Sequence, residues 1–210
     1  MTAHRLPAAA APAGFGRIGP NAILQPLVAL SQAIGEPAAR ALMAHAGLQG
    51  HVDRPPTAMV DERDVQALHR TLRHELGIAR ARAIGRHAGL LTGDYLLAHR
   101  IPRPARVLLP RLPSDWAAQA LLLAVRQHAW TFCGSGQFAV LPVRRGEPLR
   151  VSIAGTASAC SARADEPLCD YFAATFERLF QALVHPATQV QEVACTALGD
   201  PACVFTIGWR

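Results

Sequence analysis

The sequence predicts an α+β fold in which a helical N-terminal half packs on a small antiparallel sheet, the C-terminal part running β-β-α-β-β. Three observations carry this. Apolar residues recur at helical spacing up to about residue 130, after which the period shortens to that of strands. Two pairs of strand-like segments each fold back over a turn, "RRGE" in one and "GDPA" in the other. Between the pairs lies "EPLCDYFAATFERLFQALV", with Phe172, Phe176, Leu179 and Leu183 on one helical face.

Taken in order, "MTAHRLPAAAAPAG" has a short Ala/Pro stretch and no long apolar segment of a secretory signal, so residues 1–13 are expected to be a disordered tail. "NAILQPLVALSQAIG" and "EPAARALMAHAG" read as two helices divided at Gly35, and "LQGHVDRPPTAM" as a loop. In "DERDVQALHRTLRHELG", Asp61 is a plausible N-cap, acidic residues fill the first turn and Gly77 follows the end. Helix continues through "IARARAIGRHAGLLTGDYLLAHR", with Gly89 or Gly93 as candidate kinks, until "IPRPARVLLPRLP" stops it. Ser114 is read as the cap of a helix running through "DWAAQALLLAVRQHAWTF" to the "CGSG" turn. "QFAVLPV" and "PLRVSIAG" then form the first hairpin, and "TQVQEVACTAL" and "CVFTIGW" the last.

The net charge is +6, and all 21 cationic side chains are arginine. Arginine makes forked contacts to carboxylates and phosphates. The arginines here are scattered and lack the aromatic interleaving of a nucleic-acid groove, so no nucleic acid is expected; an acidic small molecule or an anionic surface fits better. No apolar run approaches the ~20 residues that span a bilayer. Five cysteines, without a secretion signal, point to a reducing, cytoplasmic compartment.

Gly14, Gly16 and Gly19 match the G-x-G-x-x-G spacing of a dinucleotide site. That fingerprint works only where a strand delivers the turn to a helix N-terminus inside a β-α-β unit. The residues before Gly14, "RLPAAAAPA", are proline-broken and contain no β-branched residue. No second strand follows at the required distance, and Glu36 sits at a helix start. The glycines are therefore read as a lead-in that docks the tail, and no nucleotide cofactor is expected. No flavin motif or iron–sulfur spacing stands out either.

The strongest constellation is Cys169, Glu192, Cys195 and Cys203. "EVACTALGDPAC" puts Cys195 and Cys203 on either side of a turn, where cross-strand Cβ atoms lie about 4.5–5.5 Å apart. Cys169 is expected in the first turn of the preceding helix, on the face that meets the sheet, where a thiol is more readily deprotonated. Glu192 offers an oxygen. It lies three residues from Cys195, so an ideal strand would point the two to opposite faces; a bulge or a strand end would reconcile them. The residues alone leave three readings open: a closed, structural metal site suited to zinc, a Cys195–Cys203 disulfide, or buried free thiols. Cys133 and Cys160 are read as spare thiols.

These four positions, with the hairpin pattern E-x-x-C-x(7)-C-x-F, resemble the vinyl-reductase-type small-molecule-binding domain over approximately residues 85–210. That domain shares its fold with TRAPP vesicle-tethering subunits and with aromatic-effector sensor domains, in which the four positions bind zinc. The resemblance implies a structural Zn²⁺, a homodimer, and a ligand pocket between helices and sheet. It makes 14–84 an N-terminal helical region and 85–210 the ligand-binding domain. "GRIGPNAILQPL", "AGLLTGDYLLAHRIP" and "LLLAVRQHAWTFCGSGQF" extend the likeness to the bacteriochlorophyll 4-vinyl reductase family over nearly the whole chain.

The resemblance implies a Mg-porphyrin or chlorophyllide intermediate as ligand and enzymes of bacteriochlorophyll synthesis as partners. The expected role is to carry or present that pigment; the alternative is the vinyl reduction of the family name. The expected address is the cytoplasm, beside the photosynthetic membrane. A tetrapyrrole needs aromatic faces, an axial ligand and cations at its rim. Trp130 and Phe132 are expected to stack on it, with His128 as axial ligand to magnesium and Tyr95, His99, Arg100 and Arg103 at the edge.

Overall fold

Gly35 and Gly77 end helices where the sequence analysis divides them, each with a positive φ, 83° and 76°. The computed structural model describes residues 16–144, 146–156 and 162–209, so the tail, Gly14 and Cys160 lie outside the described residues. Helices α1 (Asn21–Ile34) and α2 (Glu36–His45) are followed by α4 (Glu62–Leu76). At the head of α4, the Asp61 carboxylate accepts the Arg63 N–H at 2.9 Å, as a helix cap does. The expected loop between α2 and α4 holds a short helix, α3 (Gln49–Asp53), in which the Gln49 amide bonds Asp53 at 2.8 Å.

The Gly-rich lead-in is a docking segment. Strand β1 (Arg17–Ile18) pairs antiparallel with β2 (Val60–Asp61). The buried Glu62 carboxylate accepts from Gly16 N–H (2.9 Å), Ser135 N–H (2.9 Å) and Ser135 Oγ (2.7 Å). Gly19 N–H donates to Thr131 O at 2.7 Å. A Cβ on Gly16 would lie 2.0 Å from Ser135 N, so close backbone approach accounts for that glycine.

Helix α5 (Ile78–His99) is one uninterrupted element, and the candidate kinks have another purpose. It runs alongside α8 (Asp170–Leu183), and the contacts climb both helices together. A Cβ on Gly89 would meet Tyr171 O at 2.2 Å, and one on Gly93 the Arg178 side chain at 2.7 Å. The glycines let two backbones touch. Polar contacts flank the seam: Thr175 Oγ1 to Gly89 O (3.1 Å), Thr92 Oγ1 to Tyr171 Oη (2.9 Å) and Arg178 to Asp94 (2.6 Å). The 84/85 boundary falls inside α5, which packs on α1 as well as on α8, so the helical region and the C-terminal part share one core.

After α5 come α6 (Arg103–Leu108), a 3₁₀ turn at Leu109–Arg111, and α7 (Ser114–Gln127). Ser114 is the first helical residue rather than the cap: Pro113 occupies the cap position and no side chain caps the end. The helix also stops earlier than its apolar run, at Gln127, and residues 129–131 form a separate 3₁₀ turn.

The sheet is four-stranded and antiparallel in the order β3-β4-β6-β5: β3 (Gln137–Leu141), β4 (Leu149–Ala154), β5 (Gln189–Ala194) and β6 (Cys203–Gly208). Both expected hairpins are present, and the last adds a 3₁₀ turn at Thr196–Leu198. Alternate residues of β6, namely Cys203, Phe205 and Ile207, are fully buried against α8 and its neighbours. Burying a side chain such as Phe205 stabilises the fold by about 1.5–3 kcal/mol. This face places the cysteine site.

Candidate functional site

Three elements converge on the cysteines. Cys169 takes the cap position of α8, one residue ahead of its expected place in the first turn. Cys203 opens β6 opposite Ile153 of β4, and Cys195 follows β5. The odd spacing of Glu192 and Cys195 is resolved by a bulge: Glu192 pairs with Phe205 and Ala194 with Val204, leaving Val193 as the extra residue. Glu192 therefore turns inward beside the thiols.

The four ligand atoms lie within 4.8 Å of one another. Cys169 Sγ is 3.2 Å from Cys203 Sγ, which is 3.8 Å from Cys195 Sγ. All three thiols are free and fully buried. One Glu192 oxygen accepts the Cys169 N–H at 2.8 Å, while the other is buried without a hydrogen-bond partner. An orphaned carboxylate oxygen facing three sulfurs fits a cation among them, because such an atom is costly to bury alone. The sulfur separations agree with that: Zn–S bonds of about 2.3 Å give tetrahedral edges of about 3.8 Å.

Burial pushes the Glu192 carboxyl up to about 7. The Cys203 thiol is held well below the usual thiol range by hydrogen bonds from Cys169 and Cys195. The Cys169 thiol is raised by its bonds to Cys195 and Cys203 and by burial. Without a cation, negative charge thus collects on Cys203 while its neighbours stay protonated. A supporting ring surrounds the cluster. Thr156 Oγ1 lies 3.6 Å from Cys203 Sγ and 3.7 Å from Cys169 Sγ, and Thr196 Oγ1 3.6 Å from Cys203 Sγ. Asp200 accepts the Cys195 N–H at 2.8 Å. Arg73 is close enough for Cys169 and Cys195 to act on its charge. Sequence reasoning missed this ring; only Asp200, in the "GDPA" turn, carried a signal, that of an Asx-type turn.

The residues expected to meet a pigment fall into two groups. Tyr95 and His99 stack at 4.8 Å near the end of α5, with Arg100 and Arg103 exposed just beyond. Their station is the later part of α8, since the adjacent Asp94 pairs with Arg178. Phe132 belongs to the earlier part, with its ring 6.3 Å from Phe172 and 6.4 Å from Phe176. His128 and Trp130 are exposed, Trp130 by 65%. His128 Nδ1 lies 2.8 Å from its own helix's Ala124 carbonyl. A carbonyl partner requires the proton on Nδ1, which leaves the Nε2 lone pair for a ligand.

The pocket implied between helices and sheet is filled. Phe132, Phe138, Phe172, Phe176 and Phe205 pack there with ring centroids 5.7–6.4 Å apart. The enclosed hollow beside His69, Arg73 and Tyr171 holds about 10 Å³, room for one water. A groove of about 220 Å³ runs along Arg82 and Arg86, but both guanidiniums are already paired, Arg82 with Asp170 and Glu166 and Arg86 with Glu177.

Comparison with known proteins locates this architecture. Residues 149–209, which contain all four clustered side chains, match the vinyl-4-reductase (V-4-R) domain. The bacteriochlorophyll synthase 23 kDa chain of Cereibacter sphaeroides is 44% identical over 99% of this chain and 98% of its own length. The chain belongs to that family. The Rhodobacter capsulatus member of the bacteriochlorophyll synthase 23 kDa family is 39% identical over 91% of this chain and 86% of its own. Among solved structures, an H-NOX protein studied for heme distortion superposes with a TM-score of 0.57, covering 92% of this chain and 95% of its own. At 12% identity that likeness carries only the α+β fold.

Proposed function

We propose that this protein binds a Mg-porphyrin or chlorophyllide intermediate of bacteriochlorophyll synthesis and presents it to a pathway enzyme. Its relatives are named as a chain of bacteriochlorophyll synthase, which ties the family to that pathway. The observation that carries the binding reading is His128, exposed at the end of α7 with Nδ1 anchored and Nε2 free for an axial bond. Trp130, two residues on, offers an exposed aromatic face, and Arg126 an exposed cation for a pigment carboxylate. With the interior filled by phenylalanines, the plate lies against this surface, where a receiving enzyme can reach it.

Cys169, Glu192, Cys195 and Cys203 would hold a structural Zn²⁺, closed by four ligands, that ties α8 to the last hairpin. Arg73 offsets part of the charge of three thiolates and a carboxylate. We place the handover in the cytoplasm at the edge of the pigment-making membrane, with the protein as a homodimer. No helix of the described residues is long and apolar enough to cross a membrane.

Titrating the purified protein with Mg-protoporphyrin tests the reading. The pigment absorption band should shift and tryptophan fluorescence should fall, and His128→Ala should abolish the shift. An unshifted spectrum with wild-type protein overturns the proposal. So does NADPH-dependent reduction of divinyl chlorophyllide by this protein alone, which would establish the reductase instead.

A further inference from the structure

The segment from Arg100 to Trp130 differs from the rest of the surface in two independent ways. The first is apolar exposure. Six of the ten exposed large apolar side chains among the described residues fall here: Val107 (52%), Leu108 (59%), Leu112 (41%), Trp116 (67%), Leu123 (49%) and Trp130 (65%). Single exposed apolar residues need no explanation, whereas a concentration of them marks an interaction surface. Trp116 and Leu123 are seven residues apart, on one line along the outward side of α7, and Trp130 lies just past the end of that helix.

The second is charge. The segment carries Arg100, Arg103, Arg106, Arg111 and Arg126 against a single acid, Asp115. Among the described residues none of these five arginines is ion-paired, whereas Arg82, Arg86 and Arg178 on α5 and α8 all are. An exposed apolar line flanked by unpaired cations suits a surface that is greasy and negative at once.

We propose that α6 and α7 form a docking face for an anionic lipid bilayer, lying in its interface. Leu108, Leu112 and Trp116 enter the headgroup–acyl boundary, and Arg100, Arg103 and Arg111 meet lipid phosphates. The charge excess selects this occupant: a second copy would set five arginines against five. This deepens the membrane-edge location of the preceding reading, but rests on different residues from the pigment contacts of His128 and Trp130.

Flotation with lipid vesicles tests it. Wild-type protein should float with phosphatidylcholine vesicles containing phosphatidylglycerol, and remain behind with pure phosphatidylcholine or at high salt. The triple variant L108S/L112S/W116S should lower the bound fraction about tenfold or more, while binding Mg-protoporphyrin like the wild type. Each of Arg100→Gln, Arg103→Gln and Arg111→Gln should weaken binding about fivefold, the effect of about 1 kcal/mol per cation near a charged membrane. Wild-type protein that ignores anionic vesicles overturns the proposal. Equally, a triple variant that floats unchanged, or one that converts a dimer to a monomer in light scattering, assigns the face elsewhere.

Discussion

The arginines beside α8 and those along α6 and α7 have opposite surroundings, and the cysteines sharpen the contrast. Around α8, Arg82, Arg86 and Arg178 each face carboxylates, side chains are buried, and the thiol cluster sits where α8 meets the sheet. Along α6 and α7 the arginines are unpaired and tryptophans face solvent. Paired charge and buried sulfur are what a fold uses to hold itself together; unpaired charge and exposed aromatics are what it keeps for others. One chain thus separates stabilising chemistry from binding chemistry by placing them on different helices.

The comparison breaks most visibly at the cluster. Cys203→Ala removes a ligand from the centre of the site and should eliminate stoichiometric zinc in metal analysis. The loss of a structural metal costs about 3 kcal/mol or more, and at about 2–4 °C per kcal/mol in a chain of this size the melting temperature should fall by about 6–12 °C. Wild-type protein purified without zinc would defeat the assignment.

Acid should act on the same interior. Burial lowers the pKa of His69 to about 4 from its ordinary 6.5, so the folded state keeps the ring neutral. As pH falls from 6.5 toward 4, the unfolded chain takes up a proton that the folded chain refuses. Stability present above pH 6.5 is therefore lost, by about 3 kcal/mol in total. Urea melts of the wild type should show this slope, and His69→Gln should flatten it.

Two packing changes come next. Gly89→Ala forces a methyl against Tyr171 O and Ala174. The overpacking cost of about 1–3 kcal/mol should outweigh a helix-propensity gain of about 1 kcal/mol, giving a lower urea midpoint. Glu62→Gln places amide hydrogens among the three donors of Gly16 and Ser135 and should cost about 1–3 kcal/mol. The smallest effect belongs to the other region: Trp116→Ser should change unfolding stability by under about 0.5 kcal/mol. A large loss there would show that α7 is a structural face after all.

The contrast was legible in the sequence in its buried half. Phe172, Phe176, Leu179 and Leu183 recur at helical spacing, Asp61 caps α4, and both hairpins follow from their turns, because these signals are local. The four-residue cluster was visible through spacing and family resemblance. What escaped depended on tertiary neighbours. Gly89 and Gly93 read as kinks because nothing local says that a second backbone lies against them. Ser114 read as a cap because Pro113 can take that place without a side-chain bond. Glu62 gave no sign of being buried, since its partners lie 46 and 73 residues away. Phe132 looked available to a ligand, yet other phenylalanines from distant elements already cover it.

The extra residue in β5 has a consequence for how such sites are written into protein sequences. A regular ladder alternates sides, so an acid and a thiol with two residues between them should never share a face. Here the insertion of Val193 lets them converge, and the odd interval is the trace of that irregularity. Deleting Val193 would keep every donor in the chain while swinging Glu192 out toward solvent. A catalogue of donor types would call the shortened protein intact; only the count between them would reveal that its cage had been opened.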